Sequence, residues 1–464
     1  MANADEKAPD EKRSENIVKV RDDYKPVRFV SGDKSVKCKL AHGSEASWVG
    51  AEEEFCWKEL RSHIEPWLTS LFQSEHLSVL AGSGLTHAVH YLATGRSATG
   101  MSELELSVHK DKIAAQAERS AKAAGRAKKN LEDQLRVANE LLRGLEILGD
   151  DKADSLRKEL QSGMADFAKS ILKSEEGIAS AATEKREQAF NTLVTFLMSF
   201  ASRTGVRDRL NIFTTNYDRL IEVGAELAGL HLLDRFLGTL MPIFRSSRLD
   251  LDMHYNPPGI RGEPRYLEGV ARFTKLHGSV DWIHNGEDIR RIGLPFGAED
   301  IAPYLRAPGL DGATAHQLMI YPNAAKDRET ADYPYVELFR DLASAVCRPN
   351  STLLTYGYSF GDEHINRVIR DMLTIPSTHL VVISYDDQLG RIMQIYEKVG
   401  RPSQISLLIG PALADLTTLT EYYLPKAAID KTTFRMSELL KQRGIVQSAP
   451  KPQSENSDGA SDQT

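Results

Sequence analysis

Four short segments place small or polar residues directly after apolar, strand-like runs. They are Ala81-Gly82-Ser83-Gly84-Leu85-Thr86, Thr214-Thr215-Asn216-Tyr217-Asp218, Leu276-His277-Gly278-Ser279 and Gly357-Tyr358-Ser359. The first is a tight turn whose glycines permit unusual backbone angles and close approach to a phosphate. The amino terminus of a following helix favours an anion there. The third glycine of a G-x-G-x-x-G turn is missing, because position 87 is His87. No G-x-x-x-x-G-K-[ST] string occurs, which excludes ATP hydrolysis by a P-loop. In the second segment the Asn216 carboxamide can donate and accept hydrogen bonds at once. Asp218 adds a carboxylate, or caps a helix beginning at Arg219. In the third, His277 offers an imidazole, a group whose ordinary pKa of about 6.5 suits proton transfer near neutrality. A rival use of His277 is a metal site with Asp281 and His284 at i, i+4 and i+7. That spacing works on a helix, whereas Gly278, Val280, Trp282 and Ile283 make the segment extended. Asp362, Glu363 and His364 fall at a predicted helix start, where acidic residues are expected. Trp282 and Phe360 read as core.

The elements that must position these residues alternate. Residues 52–73 have helical spacing and lead into the apolar run HLSVLA. After residue 187, strands at 209–218 (ending in polar residues), 273–284, 318–322, 351–360 (meeting a glycine-containing turn), 379–385 and 405–410 alternate with helical stripes such as Ile365, Val368, Ile369 and Leu373. Continuous apolar strands between helices predict a parallel sheet buried on both faces. In such a sheet, ligands bind where the strands end, at their carboxyl side, so all four segments should converge on one crevice. Residues 104–186 break the alternation. They lack proline, and Leu131, Leu135, Ala138, Leu142 and Leu145, then Leu156, Leu160, Met164, Phe167 and Ile171, recur at three- and four-residue spacing. This predicts a helical hairpin turning at Gly149-Asp150, preceded by a basic helix at about 109–130. The expected organisation is therefore a disordered 1–16, a first α/β part over 17–103, a helical insertion over 104–186, the remaining α/β part over 187–446 and a disordered tail over 447–464.

The order and content of the four segments resemble the sirtuin family, with its glycine turn, T-Q-N-[IV]-D, H-G and G-[TS]-S motifs. TTNYD at 214–218, LHGS at 276–279, Ile320-Tyr321-Pro322 and the run from Gly357 to Asn366 are similar to divergent sirtuin-like, NAD-hydrolysing proteins of bacterial anti-phage defence, of the kind paired with a HerA-type ATPase. The likeness covers roughly 70–90 and 190–390. It implies a Rossmann-type, sirtuin-like parallel sheet, here carrying a long α-helical insertion. It implies NAD as substrate, with the nicotinamide–ribose bond cleaved by water to release nicotinamide and ADP-ribose. The chain would then be a defence effector that depletes cellular NAD. By the same resemblance, Asn216 and His277 are the catalytic residues. Gly82, Ser83, Gly84, Thr86, Thr215, Asp218, Gly357 and Ser359 would bind the dinucleotide, and Asp386 would reach the adenine ribose. A homo-oligomer and a regulatory partner such as a HerA-type ATPase are implied as well. The three cysteines, Cys38, Cys56 and Cys347, cannot build the four-cysteine zinc module of deacylating sirtuins, so no zinc is expected. The alternatives are a non-catalytic NAD- or nucleotide-binding sensor subunit regulating a partner complex, and an NAD-dependent deacylase.

The composition agrees with a soluble globular chain. Its 464 residues make room for about three domains at about 150 residues each. A net charge of −7 gives no global reason to bind nucleic acid or an anionic membrane. The basic helix at 109–130 reads first as a solvated face, and otherwise as a docking surface for an acidic partner or nucleic acid. No apolar run approaches a membrane span and the amino terminus lacks a secretory signal, so the expected location is cytoplasmic.

Overall fold

The computed structural model describes residues 14–21, 23–31, 37–50, 53–99, 103–123, 129, 131–201, 208–255, 265–285, 288–310, 313, 317–320, 333–387 and 389–426. In chain order its strands are β1 (Ser14–Lys19), β2 (Val27–Ser31), β3 (Lys37–Leu40), β4 (Phe55–Cys56), β5 (His76–Ala81), β6 (Leu210–Thr214), β7 (His231–Leu233), β8 (Phe236–Leu237), β9 (Ile243–Phe244), β10 (His254–Tyr255), β11 (Arg265–Tyr266), β12 (Val270–Lys275), β13 (Gly278–His284), β14 (Ile289–Arg291), β15 (Leu318–Ile320), β16 (Ser351–Tyr356), β17 (His379–Ser384) and β18 (Ile405–Ile409). The helices used below are α1 (Arg61–Phe72), α2 (Ser83–Thr94), α3 (Lys110–Ala123), α4 (Leu131–Leu148), α5 (Lys152–Ala179), α6 (Thr183–Ala201), α7 (Leu220–Leu227), α8 (Tyr335–Val346), α9 (Glu363–Leu373) and α10 (Arg391–Val399).

Strands such as HLVVIS and ISLLI do not alternate in polarity, so both of their faces must be covered. They lie inside an eleven-stranded sheet of order β4-β3-β2-β1-β18-β17-β16-β5-β6-β12-β7. The seven strands from β18 to β7 are parallel. Successive side chains divide between two cores. Leu77, Val79 and Ala81 join α1, α2, α6 and α7, whereas Leu80 joins α8, α9 and α10 on the other face. The predicted doubly covered parallel sheet is thus present.

The chain leaves β5 for β6 on one side and later returns as β16 on the other. That reversal makes β5 the topological switch point, where a crevice opens in folds of this class. The register sharpens the geometry. Ile383 pairs with Tyr356, Tyr356 with Ala81, Ala81 with Thr214, and Thr214 with Lys275. Five adjacent strands therefore end level, and the residues after them emerge side by side.

Four features differ from expectation or were not anticipated. Residues 14–16, expected to be disordered, belong to β1. Ile17 and Val18 pair with Ile409 and Leu408, and the Asn16 carboxamide accepts from Ala412 N at 2.9 Å. These contacts extend the sheet by four antiparallel strands, β1 to β4. Secondly, residues 273–284 are not one strand. β12 ends in the main sheet, and β13 begins a five-stranded antiparallel sheet of order β15-β13-β14-β9-β8. Thirdly, α6 runs across the expected boundary at 186. The expected tail at 447–464, and Tyr321 and Pro322, lie outside the described residues. Fourthly, the helical block contributes to the site. α4 and α5 form the predicted hairpin, with Gly149 between them in the left-handed conformation (φ +66°) that ends helices. Leu135, Ala138, Leu156, Leu160 and Phe167 pack with Tyr217, Val280 and Ile283 in a third core. The hairpin therefore sits on the small sheet and on the segment that carries Asn216. Each buried leucine in that interface contributes roughly 1.5–3 kcal/mol.

Candidate functional site

The loops after β5 and β16 meet first. Gly82 N donates to Tyr356 O at 2.9 Å and Gly84 N to Gly357 O at 3.0 Å. A Cβ on Gly84 would fall 2.5 Å from Gly357 Cα, and one on Gly82 would fall 2.4 Å from Gly357 O. Real Cβ atoms do not approach backbone that closely, so the absent side chains at Gly82 and Gly84 serve a backbone crossing. Gly357 itself has φ +60°, a conformation that favours glycine. The amides of Gly82 and Gly84, expected to face a phosphate, are used in that crossing.

The segment after β6 folds onto the same turn. Thr214 Oγ1 donates to Ala81 O at 2.9 Å and accepts from Asn216 N at 3.0 Å. Asn216 Nδ2 donates to Gly82 O at 2.9 Å and to Thr86 Oγ1 at 3.0 Å. Thr86 Oγ1 in turn donates to Asp218 Oδ2. One hydroxyl thus orients both the carboxamide and the carboxylate. Among the described residues no hydrogen bond uses Asn216 Oδ1, and Asn216 lines the cavity described below. Asp218 Oδ1 accepts from Leu220 N at 3.1 Å, so Asp218 also serves the start of α7.

His277 follows β12 and is buried. Its Nε2 lies 2.8 Å from Asp362 Oδ2, and since a carboxylate only accepts, Nε2 carries the proton in this bond. The other carboxylate oxygen of Asp362 caps α9 by accepting from His364 N at 3.1 Å. The Tyr358 hydroxyl bonds the Asp362 carbonyl and Asn366 Oδ1, each at 3.2 Å. Burial, reinforced by the Asp362 charge, pushes the Tyr358 phenol well above its ordinary pKa, so it remains protonated. Asp362 was expected only as a helix-start acid, and its contact with His277 was not foreseen.

Two cavities open at this place. One of about 370 Å³ is lined by Gly82, Ser83, Thr86, Thr215, Asn216, Asp218, His277 and Ser359, and by Asp362 and Arg391. The other, of about 620 Å³, is lined by Gly84, Gly357 and Asp386 together with Tyr91, Tyr385 and Asp415. Ser83, His87 and Ser359 border both. All ten residues expected at the site thus line one cavity or the other. Sequence reasoning missed Asp362 and Arg391. It also missed one wall of the first cavity, formed by Phe167, Ser170, Ile171 and Ser174 of α5.

The α5 wall is fixed by charge. Glu175 accepts from Arg219 N at 2.8 Å and from the Arg219 guanidinium, with both side chains buried. Burial pushes Glu175 up from its ordinary pKa and the Arg219 charge opposes it. The Phe167 ring also meets Tyr217 edge-on, with centroids 5.6 Å apart. The rival metal arrangement is not formed. β13 is extended, so Asp281 and His284 are three positions apart in a strand and point to opposite faces. Asp281 is buried near Arg291, and His284 is exposed.

Residues 210–400 match the SIR2-like domain family. The SIR2-like region begins with β6, so it contains Asn216, His277, Asp362 and Arg391, but not the Gly82 turn or α5. No curated protein matches the chain. SIR2-like domains are commonly parts of NAD-dependent enzymes, so the match points to NAD-related activity in general. No helix among the described residues is long and apolar enough to cross a membrane.

Proposed function

We propose that the cleft hydrolyses NAD to nicotinamide and ADP-ribose. The carrying observation is the convergence of Asn216, Asp218 and the His277–Asp362 pair on one cavity at the switch point of the sheet. Both cavities fall within the few-hundred-Å³ range typical of ligand sites. The nicotinamide riboside half takes the smaller one and adenosine the larger, where Tyr91 and Tyr385 offer ring faces and Asp386 accepts from ribose hydroxyls.

Nicotinamide departs as a neutral molecule from a cationic glycoside, so its departure needs no acid. The protein must instead stabilise an oxocarbenium-like sugar and deliver water. Asn216 Oδ1 accepts from that water or from a ribose hydroxyl, and Asp218 holds the nicotinamide carboxamide. The water attacks the anomeric carbon as the bond to nicotinamide breaks. His277 takes the proton through Nδ1, because Nε2 is held by Asp362, and then releases it to solvent. Asp362 fixes the ring and stabilises the imidazolium formed.

A cytoplasmic effector that consumes NAD needs restraint. This reading expects a homo-oligomer whose activity is released by a regulatory partner, such as a HerA-type ATPase, during phage infection. The chain's three cysteines argue against a zinc-dependent deacylase. The test is chromatography of purified protein incubated with NAD. Equal amounts of nicotinamide and ADP-ribose from wild type, and neither from Asn216→Ala or His277→Ala, are expected. NAD loss that requires an acylated peptide would replace hydrolysis by deacylation. Products made undiminished by both variants would contradict this assignment of the site.

A further inference from the structure

A dinucleotide spanning the two cavities must lay its pyrophosphate, with two negative charges, at their junction. The surroundings are unfavourable to that charge. Asp218 and Asp362 line one side, and Asp386, Asp387 and Asp415 the other. Four of the backbone donors near this junction, of the kind that hold phosphates in such folds, are engaged elsewhere. Gly82 N and Gly84 N bond the β16 loop. At the start of α10, Ile392 N and Met393 N donate to the Asp387 carboxylate, both at 3.1 Å. Desolvation, with the neighbouring His90 second, holds the His87 imidazole below its ordinary pKa, so it adds no positive charge at neutral pH.

Among the described residues lining either cavity, Arg391 is the one Lys or Arg. It is the first residue of α10, and its guanidinium lies over Gly361. A Cβ placed on Gly361 would be 3.0 Å from Arg391 Nη1 and 3.5 Å from Ser359 Oγ. Gly361 therefore leaves room for the guanidinium beside Ser359, a residue that borders both cavities.

We infer that Arg391, with the Ser359 hydroxyl beside it, supplies the positive charge that binds the substrate's pyrophosphate. The inference rests on the NAD reading above and adds a residue to it. A planar guanidinium can hold two phosphate oxygens at once, which an ammonium cannot match. The arginine thus acts in binding and leaves the chemistry to Asn216 and His277.

The test is calorimetric titration of the full chain with two probes, ADP-ribose, which carries the pyrophosphate, and adenosine, which does not. Wild type, Arg391→Gln and Arg391→Lys are compared. The expected result is a loss of ADP-ribose affinity of about 30-fold or more in Arg391→Gln, with a partial loss in Arg391→Lys. Adenosine affinity should stay within twofold in both, and the salt dependence of ADP-ribose binding should flatten in Arg391→Gln. ADP-ribose affinity within twofold of wild type in Arg391→Gln would overturn the inference while leaving the NAD reading intact. A parallel loss for both probes would also overturn it, because it would make Arg391 a structural residue. Wild type that binds neither probe would overturn the NAD reading and the inference together.

Discussion

Asp362 performs two tasks with one carboxylate, and this explains why its second task was hidden. Oδ1 caps α9 and Oδ2 holds His277, 85 positions away in the chain. A local reading finds the cap, because an acid before a helix is expected there, but no spacing rule links Asp362 to His277. The place of His277 and Asn216 at the cavity was legible because each closely follows an apolar strand. The double role yields a clean experiment. Asparagine caps helices about as well as aspartate, so Asp362→Asn should change stability by less than about 1 kcal/mol. Without the charge behind the imidazole, kcat for NAD hydrolysis should fall on the order of 10²–10⁴-fold with KM little changed. Steady-state kinetics and urea unfolding of the same preparation check both halves. A second residue-scale prediction concerns His379, at the start of β17 and bonded to Ser406 Oγ at 2.9 Å. Burial, aided by the Lys19 charge, lowers its pKa to about 4. The unfolded chain takes up this proton near 6.5 and the folded chain only near 4. Stability from this group is therefore complete above about 6.5 and declines as pH falls toward 4, by on the order of 3 kcal/mol. Denaturation curves at pH 7 and pH 4.5 should show a smaller acid loss in His379→Gln than in wild type. Equal losses would show that His379 does not contribute.

At the scale of elements, the helical hairpin was readable and its docking was not. Leucines at three- and four-residue spacing, with Gly149 between two runs, establish two amphipathic helices. They do not say which surface the apolar face covers. The structure places that face on β13 and on Tyr217, and so makes α5 a wall of the cavity. Glu175 was invisible for a similar reason, since a glutamate in a charged helix looks solvated until its buried arginine partner is known. Removing one member of a buried pair leaves an uncompensated charge. Glu175→Leu should cost about 3–5 kcal/mol in urea unfolding, and Glu175→Leu combined with Arg219→Met should recover most of it. If the single change costs less than about 1 kcal/mol, Glu175–Arg219 does not hold the wall. The glycine turn gives the opposite lesson. Its position was read correctly, but Gly82 and Gly84 are required by the crossing with Gly357, a contact between loops more than 270 positions apart.

For the whole molecule, the parallel sheet was legible because its central strands are continuously apolar, a pattern produced when both faces are buried. The four antiparallel strands at its edge were not. KCKL and FC are too short to show a period, and each is paired by its neighbours in the sheet, β3 by β2 and β4, and β4 by β3. The crevice follows from topology and register together. The strand order reverses at β5, and five level strand ends bring Gly82, Thr215, Leu276, Gly357 and Ser384 side by side. The central claim is that one dinucleotide spans both cavities across this row, with its glycosidic bond beside Asn216 and His277. The most direct measurement is a crystal structure of His277→Ala grown with NAD. Nicotinamide should lie beside Asn216 and Asp218, the pyrophosphate against Arg391, and adenine in the larger cavity near Tyr385. NAD bound in the reverse direction, or outside these cavities, would contradict the account.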